Sequence, residues 1–302
     1  MLQKERAVMH ILLTGGSGDM GSLLTRQLFE HGDNVSVLDV AAPHEAVAGE
    51  CAYIEGSILD RDLLQKTCQG IDCVVHIAAW HGIHEHAESK DAYDFHDLNV
   101  TGTFQVFEAA ARAGVKKFVL ISSTSVDDCY GLYGHTKVLN EEMARAYAAR
   151  HGMDILVLRP RAFIPPWNTS VYENFIEWAA WFWKGAVHVE DVCQASFKAI
   201  RYLEKHAPKE PAQVLTIDGA YDYSADVLRN WSDESFAAQY GKDSAKLAES
   251  FGLDTSRCPK IVGSKDAEEL IGYKAKYSIK NLLDDLKLYT STSPRFPLEA
   301  LN

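Results

Sequence analysis

Residues 10–21 read His-Ile-Leu-Leu-Thr-Gly-Gly-Ser-Gly-Asp-Met-Gly, an apolar run that ends in closely spaced glycines. The run predicts a buried strand, and the pattern that follows predicts a helix. Gly15 permits a tight turn, Gly18 lets the backbone approach a pyrophosphate, and Gly21 lets the helix pack on the strand. The N–H groups at the start of such a helix bind anionic oxygens. This strand–turn–helix unit therefore predicts a dinucleotide-binding fold.

Short apolar runs alternate with longer helical patterns as far as about residue 160. The predicted strands are 8–14, 34–40, 52–55, 72–78, 117–122 and 154–159. The predicted helices between them are 18–31, 60–68, 90–113 and 132–151. Such alternation is typical of βαβ units around a parallel sheet. We predict an α/β fold, a doubly wound (Rossmann) parallel sheet with a smaller C-terminal substrate lobe.

The pattern becomes irregular after Pro160 and returns to the sheet with a predicted helix at 189–205 and strand at 213–218. We predict that 1–160 and 188–219 form the dinucleotide-binding domain and that 161–187 and 220–302 form the substrate-binding lobe. Within the lobe, the aromatic segment 178–183 is interpreted as a substrate-side helix or lid. Plain core or a dimer contact is the alternative.

Composition and charge narrow the class of protein. The 302 residues carry a formal net charge of −12 and are 47% hydrophobic, which argues against electrostatic capture of nucleic acid or of an anionic membrane. The six cysteines include no C-x-x-C pair and are interpreted as reduced thiols of a cytoplasmic protein. No run approaches the roughly 18 apolar residues that span a bilayer.

Asp39 ends the second predicted strand, where an acidic residue binds the 2′-hydroxyl of an adenosine ribose. The residues after it, Val40, Ala41 and Ala42, include no arginine for a 2′-phosphate. The sequence therefore predicts NAD as the cofactor, in preference to NADP.

A second group of residues follows the fifth predicted strand. Ser122 and Ser123 end that strand, and Tyr133 and Lys137 stand four residues apart on the next helix, where they share a face. The ammonium group is expected to lower the pKa of the phenol, which makes the tyrosine a usable base near neutral pH. Glu141 and Glu142, further along this helix, are expected to lie on a solvated face.

These motifs together resemble the extended short-chain dehydrogenase/reductases, the NAD-dependent epimerase/dehydratase family. The resemblance covers most of the chain and recurs in order at residues 14–21, 76–79, 99–103, 121–123, 133–137, 158–160, 187–191 and 270–283. It implies that Ser123 bonds the reacting oxygen, that Tyr133 transfers its proton, and that Lys137 binds the nicotinamide ribose. Asn99 would support the proton path.

The resemblance also implies a set of residues that contact the cofactor. Ser57 stands where the family has an aspartate that binds adenine, so that contact is weakened or made by the backbone. The full implied set is Gly15, Ser17, Gly18, Asp19, Met20, Gly21, Asp39, Ser57, Ile58, Ile77, Ala78, Ala79, Tyr133, Lys137 and Pro160.

The substrate side departs from the family. The loop before Tyr133 and the stretch between Arg159 and Val187 are short, and basic residues are few there. We predict substrate contacts from Trp80, His81, Ser123 and Arg161. The histidines at 81, 84 and 86 have a spacing that could hold a metal, yet no cysteine is near, and we predict no metal site.

Three functions stay open from the sequence. The first is an epimerase of a sugar or nucleotide sugar, in which NAD stays bound. The second is a net dehydrogenase of a small sugar or sugar acid, similar to uronate dehydrogenases. The third is a non-catalytic NAD-sensing protein, against which Tyr133 and Lys137 argue.

The helices at 90–113 and 132–151 carry more apolar side chains than one sheet face needs, which predicts a homodimer.

Overall fold

The computed structural model describes residues 8–127 and 131–289. These residues form a seven-stranded sheet in the order β3-β2-β1-β4-β5-β6-β7. The strands are β1 (His10–Thr14), β2 (Asn34–Asp39), β3 (Ala52–Glu55), β4 (Cys73–His76), β5 (Lys117–Ile121), β6 (Asp154–Pro160) and β7 (Gln213–Ile217). The pairs from β3 through β6 are parallel. The predicted doubly wound parallel sheet is confirmed.

Helices connect and cover the strands. They are α1 (Asp19–His31), α2 (Arg61–Thr67), α3 (Gly82–His86), α4 (Ala92–Phe95), α5 (Thr103–Arg112), α6 (Leu132–His151), α7 (Phe175–Phe182), α8 (Val189–Lys205), α9 (Ala225–Arg229), α10 (Asp233–Tyr240), α11 (Lys242–Ser250), α12 (Lys265–Ile271) and α13 (Ile279–Leu288). Short 3₁₀ turns lie at Glu45–Val47 and Thr124–Asp127.

The helix predicted at 90–113 needs correction. It begins at Ala92 and is interrupted at His96–Gly102 by a π-helical segment before α5 continues it. Such bulges insert an extra residue into a helical turn and are frequent at functional sites. The sequence pattern does not show it, because the apolar periodicity of the two α-helical parts is continuous across it.

The chain divides into two compact units. The first contains the described residues within 1–160 and 193–215, and the second contains those within 161–192 and 216–302. The corresponding boundaries predicted from the sequence are at residues 160, 188 and 219.

Apolar side chains fill the face of the first unit's sheet that α5 and α6 cover. Phe107 stacks on Phe118, with ring centroids 4.2 Å apart, and on Tyr147, at 5.2 Å. Phe107 and Phe118 are fully buried. Because the strands carry apolar residues on both faces, as in Cys73-Val-Val, they fit a sheet covered by helices on both sides.

Aromatic residues form the core of the second unit. Trp178, Phe182 and Trp183, from α7 and the residue after it, are each at most 4% exposed. Trp178 and Phe182 pack ring to ring at 5.0 Å. These three side chains of the aromatic segment 178–183 therefore belong to the core of the second unit.

A buried histidine ties the carboxyl end of β1 to α5. His76 is 2% exposed. Its Nδ1 lies 2.6 Å from the Thr14 hydroxyl and its Nε2 lies 2.8 Å from that of Thr103, which donates to the Asn99 carbonyl. Since the Thr103 proton is used on that carbonyl, Nε2 carries the imidazole proton and Nδ1 accepts. Burial, together with the charge of Lys137, lowers the pKa of His76 to about 3.

This neutral histidine predicts acid sensitivity. Between its ordinary pKa of 6.5 and about 3, the unfolded chain binds a proton on this imidazole that the folded chain does not. The folded state therefore loses stability as the pH falls, by about 1.4 kcal/mol per pH unit, or about 2 kcal/mol between pH 6.5 and about pH 5. A His76→Gln variant should show a flatter pH dependence of the free energy of unfolding in urea. Equal pH dependence in the two proteins would contradict this.

Candidate active site

The glycine-rich loop after β1 turns tightly at Gly15, as its sequence predicts. Gly15 has φ +71°, and a Cβ there would lie 2.6 Å from the backbone of Ala78. Gly18 is exposed and caps the start of α1 in extended conformation. The nearest atom to a Cβ on Gly18 would be 3.8 Å away, so this face of the loop is open to a ligand. First-turn N–H groups of a helix point outward from its start, where they bind phosphate.

Asp39, at the end of β2, holds the loop in place. Its carboxylate accepts hydrogen bonds from the backbone N–H of Ser17, at 3.0 Å, and of Ala41, at 3.1 Å. The Ser17 hydroxyl donates to the Ala41 carbonyl at 2.7 Å. A carboxylate has further acceptor positions, so Asp39 could also accept from the hydroxyls of a ribose. The N–H donors of the loop fit the diphosphate of an adenosine diphosphate, and the Asp39 carboxylate fits its ribose.

Other residues predicted to contact a cofactor lie at the same edge of the sheet. Ala78 and Ala79 are half-buried in the segment after β4. Met20, Ile58 and Ile77 are at most 8% exposed, so little of their side chains is free for a ligand. The Ser57 hydroxyl accepts from the Leu59 N–H at 3.2 Å. Their roles toward a cofactor remain predictions.

The first unit brings Ser123, Tyr133 and Lys137 together. Ser123 follows β5 directly, and the other two lie on the first turns of α6. The Ser123 hydroxyl donates to the Ser125 hydroxyl at 3.0 Å, and Ser123 is close enough to Tyr133 to lower the pKa of the phenol. The Lys137 Nζ lies 5.6 Å from the centre of the Tyr133 ring and donates to the carbonyl of Ile121 at 2.8 Å. Lys137 is therefore fixed between the tyrosine and the end of β5.

The expected lowering of the tyrosine pKa is wrong. Burial raises the pKa of Tyr133 to about 12, against the opposing effect of its interaction with Ser123. Burial also lowers the pKa of Lys137 to about 8, against the opposing charge of Glu141. Desolvation disfavours the charged form of each group, and here it outweighs the favourable neighbours.

Asn99, in the π-helical segment, is fully buried and joins two parts of the site. Its Oδ1 accepts from the Trp80 N–H at 2.7 Å, and its Nδ2 donates to the Trp80 carbonyl at 2.9 Å. The same Nδ2 donates to the Thr136 hydroxyl at 3.1 Å, which donates in turn to the Tyr133 carbonyl. Asn99 thus holds Trp80 against α6, and its place in a proton path remains a prediction.

Glu141 is a site residue that the sequence analysis missed. It was expected to be solvated, but it is 2% exposed. Its carboxylate accepts from the Ser122 hydroxyl at 2.6 Å and from the Arg159 Nε and Nη2 at 2.8 and 2.6 Å. The available signal was its position four residues after Lys137, on the same face of α6. The neighbouring Glu142 is 64% exposed in its side chain, as expected.

The segment after β4 places aromatic and basic groups beside Tyr133. The Trp80 ring lies 4.4 Å from the Lys90 Nζ and 5.0 Å from the ring of His84. The His81 ring lies 6.2 Å from that of Tyr133. Within residues 8–127 and 131–289, no cluster of three or more His, Cys, Asp or Glu side chains is arranged to hold a metal ion.

Arg161 belongs to the second unit and has partners there. Its guanidinium lies 3.4 Å from the Asp218 carboxylate and donates to the Lys260 carbonyl. The other Asp218 oxygen accepts from the N–H groups of Val262 and Gly263 at 2.7 and 2.8 Å. Arg161 is thus part of a buried brace, and its contact with a substrate remains a prediction.

Two further observations concern the described residues as a whole. No helix among them is long and apolar enough to cross a membrane. Five of the six cysteines lie in these ranges and are free thiols, while Cys129 lies outside them.

Comparison with known proteins identifies the family. The sequence model of the NAD dependent epimerase/dehydratase family matches residues 11–181. A UDP-glucose 4-epimerase of Erwinia amylovora is 30% identical over 169 residues, which are 46% of this chain and 49% of that protein. A uronate dehydrogenase of Pseudomonas syringae is 25% identical over 182 residues, which are 55% of this chain and 64% of that protein. The chain spans about half the length of the first curated relatives that it matches.

Solved structures show the same fold. The Bordetella bronchiseptica enzyme WbmF in complex with NAD+ has a TM-score of 0.66 and 20% sequence identity, covering 92% of this chain and 91% of that one. The likeness supports the doubly wound fold with its C-terminal lobe.

Proposed function

Because the chain belongs to the NAD dependent epimerase/dehydratase family, we propose that it is an NAD-dependent oxidoreductase or epimerase that acts on a hydroxyl of a sugar or nucleotide sugar. The observation that carries the proposal is the grouping of Ser123, Tyr133 and Lys137 after β5, in the same unit as the glycine loop after β1. Parallel sheets bind ligands at the carboxyl ends of their strands.

Each group has a defined part in the proposed reaction. NAD, when bound, supplies the hydride acceptor. The Ser123 hydroxyl bonds the reacting oxygen of the substrate, and the Tyr133 phenol exchanges a proton with that oxygen. Lys137, held by the Ile121 carbonyl, lies beside the Tyr133 ring and would bind the nicotinamide ribose.

A net dehydrogenase of a small sugar or sugar acid is the second candidate. The similarity to a uronate dehydrogenase favours it, and so does the engagement of Arg161 with Asp218, which leaves few basic groups for a diphosphate. A non-catalytic NAD sensor is disfavoured because the Ser123, Tyr133 and Lys137 side chains are all present and close together. Location in the cytoplasm stays a prediction from the cysteine content.

A substrate panel tests the proposal and separates the two candidates. The purified protein is mixed with NAD and, one at a time, UDP-glucose, UDP-galactose, UDP-glucuronate, dTDP-glucose, free glucuronate and free galacturonate. Formation of the epimer without accumulation of NADH supports the epimerase. Stoichiometric NADH with a free uronate supports the dehydrogenase. If none of these substrates is converted, the proposed activity on nucleotide sugars and free sugar acids is contradicted.

Tyr133→Phe should abolish most of the activity found in that panel. The substitution removes the proton-transferring hydroxyl and keeps the ring, so turnover should fall by on the order of 10²–10⁴ while the dissociation constant of NAD changes little. Tyr93→Phe is the matched control, since Tyr93 is 81% exposed on α4. Full activity of Tyr133→Phe would overturn the assigned role.

Asp39→Asn should narrow the preference for NAD over NADP. The change removes a negative charge that repels a 2′-phosphate and keeps one side-chain oxygen for the Ser17 N–H. We expect the ratio of the dissociation constant of NADP to that of NAD, measured by calorimetry, to fall by on the order of 10-fold. Asp62→Asn, at an exposed position on α2, should leave the ratio unchanged. An unaltered ratio in Asp39→Asn would show that Asp39 does not bind the ribose.

We also propose that the protein forms a homodimer through α5 and α6. Phe104 on α5 is 45% exposed and Leu132 at the start of α6 is 37% exposed, and a symmetric contact would bury them. Two other apolar residues of these helices, Phe107 and Tyr147, lie inside the unit's own core. Light scattering should give a dimer at micromolar concentration, and Phe104→Glu should shift it toward monomer. A wild-type monomer would contradict the proposal.

A further inference from the structure

A carboxylate outside α6 caps the helix that carries Tyr133. Glu85, on α3, accepts from the Leu132 N–H through Oε1 at 2.7 Å and from the Tyr133 N–H through Oε2 at 2.9 Å. These donors are 47 and 48 positions away along the sequence. The two bonds therefore join the segment after β4 directly to the backbone of the proposed catalytic tyrosine.

The start of α6 is built to receive this carboxylate. The N-cap position is Gly131, which has no side chain to accept from the first-turn N–H groups. A Cβ on Gly131 would lie 3.0 Å from both oxygens of Glu85, so a side chain there would press against the carboxylate. Charged acceptors at a helix start form strong, short bonds and offset the positive end of the helix dipole. Glu85 thus replaces the N-cap side chain that α6 lacks.

The same segment also contacts the tyrosine ring. A Cβ on Gly82 would lie 3.4 Å from the Tyr133 Cδ1, which is ordinary packing distance. The His81 ring lies 6.2 Å from the phenol ring. The residues between His81 and Glu85 therefore hold Tyr133 by its ring at one end and by its backbone at the other.

We propose that Glu85 is a positioning residue for Tyr133, which couples the conformation of the substrate-side segment 80–86 to the orientation and environment of the phenol. The inference rests on the proposed function, in which Tyr133 exchanges the proton. Movement of this segment on substrate binding would change the catalytic group directly, through one side chain.

Replacing Glu85 should also change the titration of the phenol. The groups that face Tyr133 are His81 and Glu85 from the segment after β4, Ser123 after β5, and Lys137 on its own helix. Loss of the Glu85 charge leaves the positive end of the α6 dipole unopposed, which favours phenolate. Loosening of the segment exposes the ring to water, which also favours phenolate. Both effects act in the direction of a lower pKa for Tyr133.

The test uses a probe that needs no substrate. The whole protein is prepared with 3-fluorotyrosine at position 133, because fluorine makes the phenol more acidic and gives it a single ¹⁹F resonance. We expect Glu85→Gln to move the titration of that resonance to lower pH by about 0.2–0.7 unit. Gly131→Ala keeps the charge but displaces the carboxylate, and it should move the titration in the same direction. Thermal unfolding confirms that each variant is folded.

Glu88→Gln is the control, because it removes the same charge from an exposed position three residues along. An unmoved titration in folded Glu85→Gln, or an equal movement in Glu88→Gln, would overturn the proposal. In the turnover assay, Glu85→Gln should lower kcat by on the order of 10-fold and leave the KM for NAD unchanged. Absence of any Tyr133-dependent turnover in the wild-type protein would count against the proposed function only, since the ¹⁹F titration does not depend on it.

Discussion

Parallel pairing of β1, β4 and β5 is the constraint on which the site depends. Thr14 pairs with His76, and His76 pairs with Leu120, so these three strand ends lie side by side in register. The glycine loop, the segment that begins with Ile77 and the Ser122–Ser123 turn must therefore leave the sheet at one edge. A shift of one strand by one residue would turn its buried side chains to the opposite face. Because both faces are tightly packed, such a shift would place each buried side chain in a space that does not match its volume, and this packing fixes the relative positions of the loops.

Two buried polar groups reinforce this arrangement in different ways. His76 is neutral and joins β1 to α5 through two threonine hydroxyls. Glu141 is paired with Arg159 and also accepts from Ser122, so it joins α6 to the ends of β5 and β6. A buried ion pair contributes little net stability compared with apolar residues of similar volume, because both charges lose their hydration. Its directed hydrogen bonds instead specify how α6 lies against β5 and β6, and they thereby position Tyr133 relative to Ser123.

Most of the fold could be predicted from local sequence, whereas much of the site's physical state could not. The strands have strong apolar patterns, and Gly15 has a steric reason in its close approach to Ala78, so the sheet and the turn at Gly15 were predicted correctly. Glu141 was placed on a solvated face because its partner Arg159 is 18 residues away, and sequence spacing alone does not reveal such a pair. The tyrosine pKa was misjudged for a related reason, since the lysine four residues along was visible but the burial of both groups was not. The π-helical segment was missed because the apolar pattern continues through it.

Helix α6, which carries the proposed catalytic tyrosine, is held by hydrogen-bonding groups that come from outside it. Glu85 binds its first N–H groups, the Ile121 carbonyl accepts from Lys137, and Asn99 reaches its second turn through Thr136. Two of these three contacts involve the segment after β4. Glu85 belongs to the segment, and the Asn99 side chain binds its Trp80 backbone. The segment is therefore part of the support of the proposed proton-transfer group as well as the predicted source of substrate contacts from Trp80 and His81. Substitutions in this segment that alter substrate preference must then preserve two sets of hydrogen bonds: those from the α6 backbone to the Glu85 carboxylate, and those between the Trp80 backbone and Asn99. Loss of either set would disturb Tyr133 together with the substrate.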